Sequence, residues 1–250
     1  MKTFIKDKLT VNIYPDRTIM GQAAAKDISD KIKALLKTKK QINMIFAAAP
    51  SQRDVLAALV ADDTIEWDRI NAFHMDEYVG LEPTAPQNFG NFLKTHIFDK
   101  VPFASVNLIA STGDPEAECQ RYAKLLEDNP TDIILMGIGE NGHIAFNDPW
   151  VADFNDTKKV KVVALDEVCR NQQVNDGCFE AISQVPTHAI TLTVPVFADT
   201  PNLFCVVPAP TKAKAVEATV NGPVGEHCPA TILRRVTSTL YLDNESSVLL

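Results

Sequence analysis

Between Ile134 and Trp150 the chain reads ILMGIGENGHIAFNDPW, and four of its polar residues, Asn141, His143, Asn147 and Asp148, gather where a strand gives way to a loop. A histidine beside a carboxylate can be held in one tautomer and tuned near neutral pH, which suits proton transfer to an oxygen. The same stretch contains GIGENG, a literal G-x-G-x-x-G, so a dinucleotide-binding turn competes with that reading. Such a turn needs a strand before it, which DIILM supplies, and a helix opening at its third glycine. Pro149 leaves room for barely one helical turn after Gly142, so the glycines read better as backbone clearance beside a ligand. Taken alone, His143 also has a structural reading, satisfied by loop carbonyls.

Three further stretches carry residue types that could do chemistry. In AFHMDEYVGL a strand ends in the acidic pair Asp76 and Glu77, and neighbouring strand residues point to opposite sides. One carboxylate can then act as a general base while the other is solvated or paired; a plain solvated turn is the competing reading. In FAAAPSQRDVLAAL a strand turns through Pro50, Ser51 and Gln52 into a helix, whose N-terminal N–H groups form a simple phosphate site. Ser51 is equally an ordinary N-cap. In CVVPAPTKAKAVEATV, Lys212 stands near a helix start, where a cation opposes the helix dipole unless an anion is close.

The elements that must position these residues alternate. LTVNIY, INMIFAAA, RINAFHM, VNLIA, DIILMGIG, VKVVAL, AITLTV, NLFCVVP and TLYLD read as strands, several apolar throughout, as in strands covered on both faces. Ile19, Ala23, Ile28, Ile32 and Leu35 recur at helical spacing, as do Val55, Leu56, Leu59 and Val60, and residues 87–98, 115–128 and 212–220 read as helices. This alternation predicts an α/β protein: a mostly parallel sheet with helices on both faces, in one domain over residues 1–250. In such sheets ligands bind where loops leave the carboxyl ends of strands, which singles out the exits after Ala49, Met75, Ile138 and Val207.

Composition bounds the partners. A net charge of −8 disfavours a general nucleic-acid surface, and no apolar run approaches the roughly 20 residues of a membrane span. The N-terminus scatters charges through its apolar residues, unlike a signal peptide, so a cytoplasmic location is expected. The five cysteines contain no C-x-x-C pair, which argues against a disulfide framework and a zinc cage, so no metal is expected.

HMDEYVGL and GIGENGHIAFNDP, spaced as they are, resemble the glucosamine-6-phosphate deaminase/isomerase family, and the similarity runs through nearly the whole chain. The segments DEVCRNQQVNDGCF, VPTHAITLTVP, KAKAVEATVNGPV and PATILRR resemble a divergent bacterial branch of it. The resemblance implies a three-layer Rossmann-like fold and conversion of a 2-amino-aldose 6-phosphate to fructose 6-phosphate and ammonia, with no metal or organic cofactor. It implies that His143 assists ring opening, that Asp76 shuttles a proton from C2 to C1, and that Asn141 and Asp148 orient and tune the histidine. Lys212 matches a phosphate-contacting lysine, and Ser51, Gln52 and Gly139 are expected to bind substrate.

Several positions depart from the family pattern. Asp148 stands where Glu is usual and is one methylene shorter, so its link to His143 is expected to run through water or to need a closer loop. Asn141 supplies no charge, the phosphate turn AAAPSQRD has no glycine, and Asn175 aligns with a basic residue of the better-known branch. The chain ends at YLDNESSVLL, without the extension of some regulated members, and allostery is not expected. The competing functions are a 6-phosphogluconolactonase, a galacto-epimer deaminase and a catalytically silent sugar-phosphate sensor. The expected partner is a small sugar phosphate, with homo-oligomerisation left open.

Overall fold

The computed structural model describes residues 1–250. β1 (Lys2–Lys6) and β2 (Leu9–Tyr14) pair as an antiparallel hairpin, and Asp16 caps α1 (Arg17–Leu36) by accepting the Ile19 N–H at 2.8 Å. β3 (Ile42–Phe46) leads through a 3-10 turn at Pro50–Gln52 into α2 (Arg53–Val60). β4 (Ile70–His74) is followed by β5 (Asp76–Tyr78) and by α3 (Phe89–Leu93), which runs on as a π-helical turn to Phe98. β6 (Ser105–Asn107), α4 (Pro115–Asp128), β7 (Ile133–Met136), β8 (Val160–Ala164) and α5 (Glu167–Asn175) come next. The chain closes with β9 (His188–Leu192), α6 (Val194–Ala198), β10 (Leu203–Val207), α7 (Ala213–Asn221) and β11 (Ser238–Asp243).

Eight strands form the main sheet in the order β1-β2-β11-β10-β7-β3-β4-β6, parallel apart from the β1–β2 pair. Successive strand residues feed opposite layers, as the pleat requires: Met44 and Phe46 pack with α1, α2 and α3, whereas Ile45 packs with α4 and α7. The expected α/β architecture, with helices on both faces, is the observed one. In α1 the buried stripe is Met20, Ala24, Ile28 and Ile32; Ile28 and Ile32 are buried as expected, Ala23 and Leu35 are half-buried against the core, and Ile19 is exposed. Burying an aliphatic side chain such as Ile28 or Ile32 contributes about 2 kcal/mol, so this stripe is what docks α1 on the sheet.

A second sheet was not anticipated. β8 and β9 read as strands in the sequence, but they leave the main sheet and join β5 in a three-stranded antiparallel ladder, β5-β9-β8. β9 thereby holds two pieces of the site at once. It pairs Asp76 with Thr191, while the Thr191 hydroxyl accepts the Phe146 N–H at 3.0 Å and the Leu192 carbonyl accepts the Asn147 side-chain amide at 2.7 Å.

Glu77 follows the strand alternation away from Asp76, and it is neither solvated nor ion-paired. Its carboxylate accepts the N–H groups of Tyr78, Phe89 and Gly90 at 2.9, 3.0 and 2.9 Å, fixing the first turn of α3 beneath β5. Burial lifts this carboxyl to about 7, against the pull of those donors. Glu77→Ala would leave three buried N–H groups without an acceptor, and it should lower stability by about 3 kcal/mol or more, read as a fall in the denaturant midpoint.

Candidate active site

β10, β7, β3 and β4 are neighbours at the middle of the sheet, and the four exits singled out in the sequence are theirs. They converge on a cavity of about 500 Å³ whose walls include Ser51, Asp76, Gly139, His143 and Lys212. A site at the carboxyl ends of parallel strands is where this fold class places ligands.

The loop after β7 does not open a helix, which removes the dinucleotide reading. Its glycines provide close approach instead. A Cβ on Gly139 would lie 2.2 Å from the His143 ring, and one on Gly142 would lie 2.6 Å from the Cys228 sulfur, at a φ of +84° that favours glycine in any case. The histidine ring therefore lies directly on the backbone of its own loop. Asn141 accepts the His143 N–H at 3.0 Å through its side-chain oxygen and donates its amide to Asp148 Oδ1 at 2.8 Å. Asp148 Oδ1 also stands 3.1 Å from His143 Nδ1, on an approach oblique to the ring N–H direction. The shorter aspartate thus reaches the ring directly. Burial works to raise the Asp148 carboxyl, but contacts from His143, Asn141 and Cys169 outweigh it and hold it below its ordinary value. Asn147, fully buried, ties the loop to β9 and does not line the cavity.

Asp76 faces the cavity at 7% exposure, and its carboxyl makes no hydrogen bond within the protein. Burial, with the charge of Glu77 added, pushes its carboxyl well above the usual carboxylate range. A carboxylate that is desolvated and uncommitted is suited to taking a proton from carbon.

Basic side chains also line the cavity. Lys212 is 6% exposed, makes no ion pair, and has its ammonium pKa lowered by burial. It sits in the turn after β10, where Ala209 adopts φ 84° and ψ 148°, a region almost reserved for glycine. Asp243 holds that strained turn by accepting the Ala209 N–H at 3.1 Å. Ser51 also lines the wall, and its hydroxyl accepts the Gln52 amide at 3.1 Å. Gln52 spends the same amide nitrogen on the Val206 carbonyl, also at 3.1 Å, so it braces the two anion-facing turns against each other.

Several lining residues escaped the sequence reading. Arg17 pairs with Asp54 and donates to the Pro50 carbonyl at 3.2 Å, clamping the turn. Arg53 lines the cavity without an ion pair and opens α2, the same dipole misfit that drew attention to Lys212. From α5, Gln172 accepts the Glu140 N–H at 2.8 Å beside the histidine loop, and Gln173 and Asp176 complete the wall. Asn175, in contrast, is exposed and lies outside the lining.

Residues 15–242 match the family model described as glucosamine-6-phosphate isomerases/6-phosphogluconolactonase. The chain belongs to this family. Within it, a glucosamine-6-phosphate deaminase of Exiguobacterium sibiricum is 37% identical over 190 residues, 75% of this chain and 73% of that protein. Another, of Bacillus cereus, is 34% identical over 219 residues, covering 86% and 80% respectively. A solved structure of a monomeric glucosamine-6-phosphate deaminase superposes with a TM-score of 0.88 at 26% identity, covering 96% of this chain and 99% of that one. The 6-phosphogluconolactonase of Thermotoga maritima, at 17% identity and a TM-score of 0.75 over 94% of this chain and 99% of that one, shares the fold.

Proposed function

We propose that the chain, acting as one catalytic unit over residues 1–250, converts glucosamine 6-phosphate and water to fructose 6-phosphate and ammonia. The observation that carries this reading is the unpartnered, buried Asp76 in the same cavity as a histidine fixed by Asp148 and Asn141. Lactone hydrolysis transfers no proton at C2, whereas an aldose-to-ketose conversion requires a base at that carbon. His143 transfers a proton to the sugar ring oxygen as the ring opens. Asp76 then removes the C2 proton and returns it to C1, leaving an imine at C2 that water hydrolyses to the ketone and ammonia. Lys212, Ser51 and Arg53 bind the phosphate, and Gly139 gives His143 the space to meet the sugar. No helix is long and apolar enough to cross a membrane. We assign the reaction to the cytoplasm, where free thiols stay reduced, and to amino-sugar catabolism.

The direct test measures ammonia and fructose 6-phosphate release from glucosamine 6-phosphate, with galactosamine 6-phosphate and 6-phosphogluconolactone as parallel substrates. Release from the gluco substrate is expected; silence there with turnover of the lactone would overturn the reading. Lys212→Ala should raise KM roughly 10- to 100-fold with kcat little changed, because a charge-assisted contact to phosphate is present in ground and transition states alike.

A further inference from the structure

Beneath the cavity floor the structure assembles a third set of side chains that the proposed reaction does not use as a set. His143 Nδ1 or Nε2, a carboxylate oxygen of Asp148 and the sulfur of Cys169 all lie within 4.8 Å of one another. The three residues are 8%, 0% and 1% exposed. Two of their polar atoms, His143 Nδ1 and Asp148 Oδ2, are buried without a well-directed hydrogen bond. Buried polar atoms are normally satisfied. Here Nδ1 has only its oblique 3.1 Å approach to Asp148 Oδ1, and the Asp148 carboxylate borders the Cys169 thiol, so a cation at this point would replace weak contacts with three bonds.

We propose that His143, Asp148 and Cys169 bind a borderline-soft divalent cation of the zinc type, and that the bound cation blocks His143. An imidazole, a carboxylate and a thiolate are the three ligand classes that such a cation accepts in tetrahedral sites. Donors bound at about 2.0–2.3 Å sit roughly 3.5 Å apart in a tetrahedron, so the set must contract by about 1 Å at its widest separation. His143 and Asp148 share one loop, and Cys169 stands in the first turn of α5, where Asp166 accepts its N–H at 2.6 Å. Contraction therefore requires α5 to settle on the loop, which the Gln172 contact to Glu140 already ties to it. On binding, the Cys169 thiol proton is released to solvent, the sulfur–metal bond forms, and a water from the cavity takes the fourth position. The ligands are separated as 143, 148 and 169, so no short cysteine motif announces them. Hard cations such as Mg²⁺ prefer all-oxygen shells and are excluded by the sulfur and nitrogen donors.

Binding and inhibition are separable, because only the inhibition rests on the proposed role of His143 in turnover. The full-length protein is titrated with Co²⁺ as a spectroscopic stand-in for Zn²⁺. One equivalent should produce a thiolate-to-cobalt charge-transfer band with the visible absorption of a tetrahedral centre. Cys169→Ser should abolish that band and weaken binding by more than roughly 100-fold, since even the loss of a supporting outer contact costs 10- to 100-fold. Cys178→Ser removes another thiol near the cavity and should retain the band. No band in the native protein, or a band that survives Cys169→Ser, overturns the site. Should Cys169→Ser fail to fold, Asp148→Asn keeps the thiol, and unchanged cobalt affinity there overturns it equally. Zn²⁺ should displace Co²⁺ and suppress ammonia release in step with its occupancy, while excess Mg²⁺ does neither. A cobalt band with full turnover removes the inhibitory half of the proposal. A cobalt band in a protein inactive even without metal leaves the site standing and counts against the proposed reaction.

Discussion

Asp76→Asn should lower kcat for glucosamine 6-phosphate by roughly 10²–10⁴-fold, the range lost when a positioned general base is removed, while phosphate binding stays nearly intact. The substitution is isosteric, and the Asp76 side chain makes no hydrogen bond that the amide would break. The main effect is therefore on proton transfer at carbon. If inorganic phosphate or an unreactive sugar phosphate binds as weakly as turnover is slow, Asp76 is structural and the assignment fails.

The same variant should be at least as stable as the native protein at neutral pH. Burial and the neighbouring Glu77 hold the folded-state pKa of Asp76 above its unfolded value, so folding favours the neutral form. Stability from this group is fully present below the unfolded carboxylate pKa and is lost as pH rises through the higher folded value. Asn stays neutral and should abolish that loss, raising Tm near pH 7 as activity disappears. Activity in the native enzyme runs the other way: the base must be ionised, so kcat/KM should rise with pH through a value above the ordinary carboxylate range. Asp148, held below its usual value, stays ionised across that limb and does not contribute to it.

How much of this was legible depends on whether a signal is local. The central strands announce themselves as apolar runs because both of their faces are covered, and α4 runs from Pro115 to Asp128, over the predicted residues, behind its Asp114 cap. The four strand exits were readable, since position in an open parallel sheet follows from the rule about carboxyl ends. β1 escaped because an exposed edge strand such as KTFIK needs no apolar run, and three-residue β5 is shorter than any periodicity. Neither could the sequence show that β8 and β9 leave the main sheet, because a strand's pattern records its burial and not its partner. α5 carries a readable cap at Asp166 but few apolar residues, so its wall-forming glutamines gave no helical signal. The link from Asp148 to His143 could not be judged from side-chain length, because the loop's two close approaches, at Gly139 and Gly142, set the spacing.

His143→Gln should slow the closed-ring sugar far more than an open-chain analogue, by about 10²-fold or more, because in the proposed reaction its proton is needed at the ring oxygen and nowhere later. Similar losses on both substrates would remove the ring-opening assignment. Gly139→Ala should produce the same discrimination without touching the histidine. A methyl at position 139 would occupy space 2.2 Å from the ring, and Gly139 has no left-handed backbone to forbid the alanine. The backbone can therefore accept the residue, and the clash falls on the imidazole, which must swing from its seat beside Asp148. Displacement of a catalytic group by about 1 Å is enough to cost 10²-fold. The open-chain analogue bypasses the displaced group, so Gly139→Ala should retain Asp76-dependent turnover of it. An alanine variant that turns over the closed ring at the native rate would mean that His143 works from another position than the one it holds over Gly139.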